Sequence, residues 1–272
     1  MSEVVDIKNN PLIDPTPSEV HLTNAPLVRV LGQVRFSQIL SVENKEFVAQ
    51  FQEAIRAKYP NLQQQRNHQF TFDNQRKELI PSQSDVIWWF TDINNDWRVS
   101  LSSNFIALDT VSYISRQDFL ERMKEILTAV SEYIKPNLVE RIGIRYIDRL
   151  TGDNVKNISN LVIPELTNIS TSIFKEHILQ TYNESLFQLP NTNEKLLARW
   201  GLIPSNSTFD PNTIEPIDEP SWILDLDMSI SENQEFKVEK ILDYTKRFSE
   251  RIYTFFRWSV TDEFLSHFGG EK

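Results

Sequence analysis

Two stretches decide how this chain is read: LVRVLGQVRFSQIL at Leu27–Leu40 and LVERIGIRYIDRL at Leu138–Leu150. Aligned with one residue skipped, they place Gly32 on Gly143, Arg35 on Arg145, Phe36 on Tyr146 and Leu40 on Leu150. Both are rich in branched apolar residues, the signature of a strand. A glycine inside such a run marks a bulge or a close backbone approach. Each is followed by further strand signals and then by a long helical pattern. The later runs FIALDTVSY and WILDLDMSI also rhyme, with Asp109 or Asp225 after an apolar stretch. Self-similarity on this scale points to one supersecondary unit used twice. The expected fold class is α+β: two related units, each an antiparallel sheet with long helices packed on one face. One continuous sheet shared by both halves is the alternative for the same elements.

Outward from these stretches, residues 1–26 carry Pro11, Pro15, Pro17 and Pro26 without sustained periodicity and read as an extended or partly disordered arm. The first unit is expected over 27–136. After its opening strand, Phe47, Phe51 and Ile55 recur every four residues and predict a helix over Ser41–Tyr59, ended by Pro60. Strands are expected at Phe70–Phe72, Asp85–Phe90, Trp97–Leu101 and Phe105–Tyr113. A second helix, over Arg116–Ile134, is capped by Ser115 and Asp118. The second unit is expected over 137–272. Residues 151–175 read as a loop with one short helix, followed by strands at Ser185–Gln188, Glu194–Gly201 and Ser221–Ile230. Helices over Lys237–Trp258 and Thr261–Phe268 close the chain. Between strands lies the acidic, proline-rich loop 203–220, which carries Asp210, Glu215, Asp218 and Glu219 and no Lys or Arg.

Composition excludes several classes. The 28 Lys+Arg against 38 Asp+Glu give a net charge of −10, which repels nucleic acid and anionic membranes unless a local basic patch intervenes. No apolar run approaches the ~18 residues a membrane helix needs. Met1–Asn10 includes Glu3 and Asp6 and lacks a long apolar core, so no secretory signal is expected and the cytoplasm is the expected compartment. With no cysteine, thiolate nucleophiles and Cys-based metal sites are out. The histidines at 21, 68, 177 and 267 form no helical zinc pair. No Gly-x-Ser-x-Gly elbow, Walker motif or dinucleotide fingerprint occurs. No catalytic residue and no cofactor are assigned.

The remaining candidates are charged. Strand alternation puts Arg141, Gly143, Arg145, Ile147 and Arg149 on one face, an arginine stripe that spans about 26 Å at strand rise. The planar guanidinium fork binds two oxygens at once. The stripe is thus either an anion, nucleic-acid or partner contact, or a set of ion pairs with the chain's own carboxylates. Arg35, aligned on Arg145, favours the second, because a duplicated unit repeats its structural salt bridge. Asp225 and Asp227 share a strand face two residues apart, as a Mg²⁺-holding pair does, but no third carboxylate at diagnostic spacing accompanies them, and carboxylates on the solvated face of a sheet are the simpler reading. Trp88, Trp89 and Phe90, and Phe255, Phe256 and Trp258, offer either core packing or a partner anchor.

NAPLVRVLGQVRF at Asn24–Phe36, FIALDT at Phe105–Thr110, DFLERM at Asp118–Met123 and RIGIRYIDRL at Arg141–Leu150 resemble a sporadically distributed bacterial family of uncharacterised proteins. The resemblance covers nearly the whole chain. It implies a scattered distribution in bacteria and archaea, as for mobile or antiviral-defence genes, and supplies no catalytic residues. Three functions follow as expectations. The first is a protein-binding component of a defence operon, regulatory, antitoxin-like or chaperone-like, which meets a co-encoded partner through a sheet concavity or the acidic loop. The second is a metal-dependent enzyme on phosphoester or nucleotide substrates, with Asp225 and Asp227 as ligands and Arg145 or Arg149 as phosphate clamp. The third is a nucleic-acid-binding accessory protein that uses Arg141, Arg145 and Arg149.

Overall fold

A computed structural model describes residues 10–73 and 78–270. Its elements in chain order begin with β1 (Leu27–Phe36), α1 (Lys45–Ile55), β2 (Asn61–Asp73), β3 (Glu78–Thr91), β4 (Trp97–Ser102), β5 (Phe105–Thr110) and α2 (Arg116–Ala129). Next come β6 (Leu138–Thr151) and three single-turn helices, α3 (Asp153–Lys156), α4 (Ile158–Leu161) and α5 (Pro164–Thr167). The chain continues through β7 (Asn183–Gln188), β8 (Lys195–Ile203), β9 (Ser221–Ile230) and β10 (Gln234–Glu235) to α6 (Val238–Ser259) and α7 (Asp262–His267). The class is α+β, with a large antiparallel sheet and several helices. No helix among the described residues is long and apolar enough to cross a membrane. The chain divides into two compact units. One comprises Arg29–Ile144 and Ser229–Lys246; the other takes the chain up to Val28, Arg145–Met228 and the chain from Arg247 onward.

In the unit of Arg29–Ile144, strands run in the order β2-β3-β4-β5-β1, each antiparallel to the next. β2 is far longer than the predicted Phe70–Phe72. Its start, NLQQQ, has no apolar alternation to read, and pairing with β3 from Asn61 opposite Thr91 supplies the order that local sequence does not. Two helices cover the sheet. The Asn44 side chain accepts from the Glu46 backbone N–H and caps α1, so the helix starts at Lys45 rather than at Ser41. A 3₁₀ turn, Leu40–Glu43, precedes it. Its buried stripe is Val48, Phe51 and Ile55, and Phe51 meets the Phe90 ring edge-on at 5.5 Å. α2 is capped by Ser115, which accepts from the Asp118 N–H at 3.1 Å. Phe119 of α2 lies on β1 so closely that a Cβ at Gly32 would stand 3.2 Å from its ring, which is why a glycine interrupts the strand there. Past Ala129 the helix widens into a π turn and stops at Lys135, in the left-handed conformation at φ 57°.

In the other unit β6 continues from Arg145, and the order is β6-β9-β8-β7. Where a loop with one short helix is predicted, α3, α4 and α5 follow one another, with 3₁₀ turns at Asn168–Thr171 and Lys175–His177. The described part of the arm, 10–26, is tied to the C-terminal helices. Arg251 of α6 donates to the carbonyls of Pro11 (2.7 Å) and Asp14 (2.9 Å), and the Tyr253 hydroxyl accepts from the Val20 N–H (2.8 Å). Loop 203–220 is not free either: Ile214 is buried with Ile147, Ile203 and Ile223, and Phe209 packs against them.

Phe51 is fully buried and touches the sheet through Phe90. Phe51→Ala is expected to cost about 3–5 kcal/mol of stability by cavity formation. Urea denaturation checks this, and a loss below about 1 kcal/mol would mean that α1 is not anchored as described.

Candidate functional site

A connected polar cluster is built around one carboxylate. Asp225 on β9 has a side chain with no exposed surface. A buried charge survives only when it is paired and hydrogen-bonded, and the strands on either side of β9 each supply an arginine. Arg145 of β6 grips Asp225 side-on, Nε to Oδ1 at 2.7 Å and Nη2 to Oδ2 at 2.8 Å. Arg199 of β8 donates from Nη1 to Oδ2 at 2.9 Å. Each guanidinium then uses its remaining donors on a second acid. Arg145 reaches Asp210 of the loop at 2.7 Å, and Arg199 reaches Glu184 of β7 at 3.0 Å. The Tyr182 hydroxyl donates to Glu184 at 3.0 Å, and the Tyr182 ring lies 5.1 Å from Phe209, beside Asp210. Four strands and the loop thus close one ring of contacts.

The electrostatics follow. Burial works to lower the affinity of Arg145 and Arg199 for their protons, but hydrogen bonds and the charge of Asp225 outweigh it and raise both. Burial works to raise the Asp210 carboxyl, and the bond from Arg145 outweighs it, so the group is held below the usual carboxylate range. The bond from Arg199 lowers Glu184 in the same way. Arg149, two turns of the pleat further along β6, donates to the Glu215 carbonyl at 2.7 Å, and burial lowers its proton affinity. On the opposite face of β6 from Arg145, burial pushes the half-buried Asp148 carboxyl up to about 7.

The unit of Arg29–Ile144 holds a smaller version. Asp109 of β5 accepts from Arg29 of β1 at 2.6 Å and from Arg98 of β4 at 2.9 Å. The Arg98 guanidinium also sits 4.7 Å from the centre of the Trp89 ring. The β1 arginine with the role that Arg145 plays is Arg29; Arg35, aligned on Arg145 in sequence, is exposed. Arg141 folds over Gly143, whose missing side chain leaves room for the guanidinium, and contacts Gln33 at 3.4 Å.

The candidates read from sequence are therefore placed as follows. Arg145, Asp225 and Asp210 come together; Arg149 joins the loop backbone; Arg141 and Arg35 stand in the other unit. Both oxygens of Asp225 accept from arginine, so the carboxylate expected to hold a metal with Asp227 already has cation partners. No group of three or more His, Cys, Asp or Glu that could hold a metal occurs among the described residues. In the loop, Glu219 accepts from the Gly152 N–H at 3.1 Å, and Glu215, Asp218 and Glu219 are exposed. The side chain of His68 lies outside the described residues. Trp88 and Phe90 are buried, with Trp88 Nε1 donating to the Val42 carbonyl at 2.7 Å, and Phe255 is buried under Phe187.

A second feature was not read from sequence. Ile169, Ile173, Phe174, Leu179, Tyr182 and Leu186 are all exposed, Ile173 by 89% and Leu179 by 83%. They crowd into 18 residues of one unit. The available signal was a run of large apolar residues without helical or strand period, between the short helices and β7. Exposed apolar groups scattered singly need no explanation, whereas six within one short segment leave an unusual amount of apolar surface in water. No family model matches this chain, and no curated protein matches it either.

Two outcomes are expected. Asp225→Ala leaves two buried guanidinium groups without their shared carboxylate and should lose about 3–5 kcal/mol in urea denaturation; adding Arg145→Met and Arg199→Met should recover most of it. A loss under about 1 kcal/mol would mean that water reaches the cluster. Second, the Asp148 carboxyl binds a proton in the folded state up to about 7 but only near 3.8 when unfolded. Stability should rise as pH falls through that window, and Asp148→Asn should flatten the slope. Below the window Asp210 and Glu184 are protonated and their contribution is lost, so stability should fall again. Thermal melts from pH 8 to pH 3 measure both limbs.

Proposed function

We propose that this chain is a cytoplasmic protein-binding component, regulatory, antitoxin-like or chaperone-like, of a bacterial defence operon. The observation that carries the binding reading is the exposure of Ile169, Ile173, Phe174, Leu179, Tyr182 and Leu186 within one short segment. Apolar surface of this kind is costly to leave in water, and covering it is favourable by about 25 cal/mol per Å². The expected partner is a protein with an apolar segment set among basic residues, because the chain carries a net charge of −10. The operon setting rests on the sequence resemblance alone. The arginines of the two clamps serve the fold in this reading, since their donors are directed at the chain's own Asp109, Asp225, Asp210 and Glu184. We further infer that the two units are related by duplication. A buried aspartate gripped by an arginine from each flanking strand supports that reading in both.

Co-expression with the genomic neighbours, followed by purification and light scattering, tests the function. A stoichiometric protein partner is expected, lost when Ile173→Asp and Leu179→Asp are combined. A chain that purifies alone beside every neighbour would sink the reading.

A further inference from the structure

In the unit that contains Arg145, the strand order among the described residues ends at β7. The register states which backbone groups stand at that end. Thr181 N–H donates to the Leu202 carbonyl at 3.0 Å, and Leu189 N–H to the Glu194 carbonyl at 2.9 Å. Between these points β7 pairs β8 in one register, from Asn183 opposite Trp200 to Gln188 opposite Lys195. Hydrogen-bonded and non-bonded pairs alternate in an antiparallel ladder. The odd residues of β7 therefore bond to β8, and the N–H and C=O of Glu184, Leu186 and Gln188 turn outward to the edge.

Natural edge strands are blunted by proline, bulges or charge. β7 has no proline and no break in register, and its one charged side chain is Glu184. Leu186 at its middle is 63% exposed. The edge strand of the other unit differs: Asn61, Gln63, Gln64 and Gln65 at the start of β2 are exposed and polar. β7 is also held tightly from behind. A Cβ at Gly201 of β8, where φ is +152°, would stand 2.1 Å from the carbonyl oxygen of Thr181, just before β7, so only glycine lets β8 approach the segment that leads into β7.

Charge selects the occupant. Glu184 stands on the edge, on the sheet face that the loop with exposed Glu215, Asp218 and Glu219 covers. Lys195 lies at the far end of β7, opposite Gln188. We propose that β7 is a docking edge for an extended, lysine- or arginine-bearing segment of a partner protein, which joins the sheet as one more strand. Glu184 and Leu186 share one face of the strand, so the basic side chains of the segment lie on that face, heads toward Glu184 and stems over Leu186, and its alternate apolar side chains lie on the face of Phe187. In strand addition the backbone bonds supply affinity and alternate side chains supply specificity. A second copy of this chain is the poorer occupant, since two bodies of charge −10 repel. This inference rests on the protein-binding reading and names its contact.

The test uses the full chain and a fluorescent decapeptide of alternating valine and lysine, with an alternating valine–glutamate peptide as control. Leu186→Pro removes an outward N–H and leaves the β8 ladder intact, as an edge strand tolerates; Gln188→Pro replaces it if circular dichroism shows that Leu186→Pro does not fold. The valine–lysine peptide is expected to bind and to slow hydrogen exchange at the amides of 184, 186 and 188. The proline variant and the acidic peptide should each lose at least tenfold in affinity. Equal binding by the proline variant, or protection elsewhere, overturns the proposal. So does a dimer protected at the same amides, which would assign the edge to a second copy. If a co-purified partner is released by Ile173→Asp with Leu179→Asp but kept by Leu186→Pro, strand addition fails while the protein-binding reading stands.

Discussion

The unit around Asp225 depends on one constraint: a carboxylate with no exposed surface must be neutralised where it stands. A single arginine leaves the oxygens only partly satisfied, and a half-satisfied buried charge is costly. Here two guanidinium groups supply three bonds. Because they come from the strands on either side, neutralising Asp225 also aligns β6, β9 and β8. The arginines in turn need acceptors for their outer nitrogens, and this need orders the next layer. Asp210 draws the loop down over β6, and Glu184 ties in β7. A loop rich in proline and acid would otherwise be solvated. Its conformation is held by the Asp210 and Glu219 carboxylates, by the bond from Arg149 to the Glu215 carbonyl, and by Phe209 and Ile214 in the adjacent apolar cluster.

The unit around Asp109 meets the same constraint with fewer parts. Arg29 and Arg98 neutralise the buried carboxylate, and the outer side of Arg98 is covered by the Trp89 ring rather than by a second acid. A ring face is attractive to a guanidinium but asks for no further charged partner. The central contact is alike in the two units, and its surroundings differ.

The same logic separates what holds the fold from what is available to a partner. Guanidinium groups spent on buried aspartates are poorly placed to bind an external anion. The acidic loop, a contact candidate on composition, is partly consumed by Arg145 and by the Gly152 N–H. What stays outward includes large apolar side chains between Ile169 and Leu186 and the outer side of β7, which pairs no further strand among the described residues. An edge strand that is fixed from behind and open in front is a rigid platform, and rigidity lowers the entropy lost on binding.

Local pattern determined the strands β1, β6 and β9 and the helices α2 and α6 to within a few residues, because alternation and the 3.6-residue stripe are written in neighbouring side chains. It also marked Arg145, Arg149, Asp225 and Asp210 as residues of interest and put the three arginines of β6 on one face. It placed Arg35 rather than Arg29 in the role of Arg145, since an alignment along the chain follows strand position and not the carboxylate across the sheet. Strand β2, the tie of loop 203–220 and the exposure of Ile173 and Leu179 were illegible for one reason. Each depends on something outside its own residues: the partner strand β3 for the ladder, Arg145 for the loop, and the lack of a covering element among the described residues for the exposed apolar side chains. Composition fixed which side chains are chemically capable of pairing; only the tertiary structure decided which of them are already paired, because burial and distance are properties of the fold and not of the string.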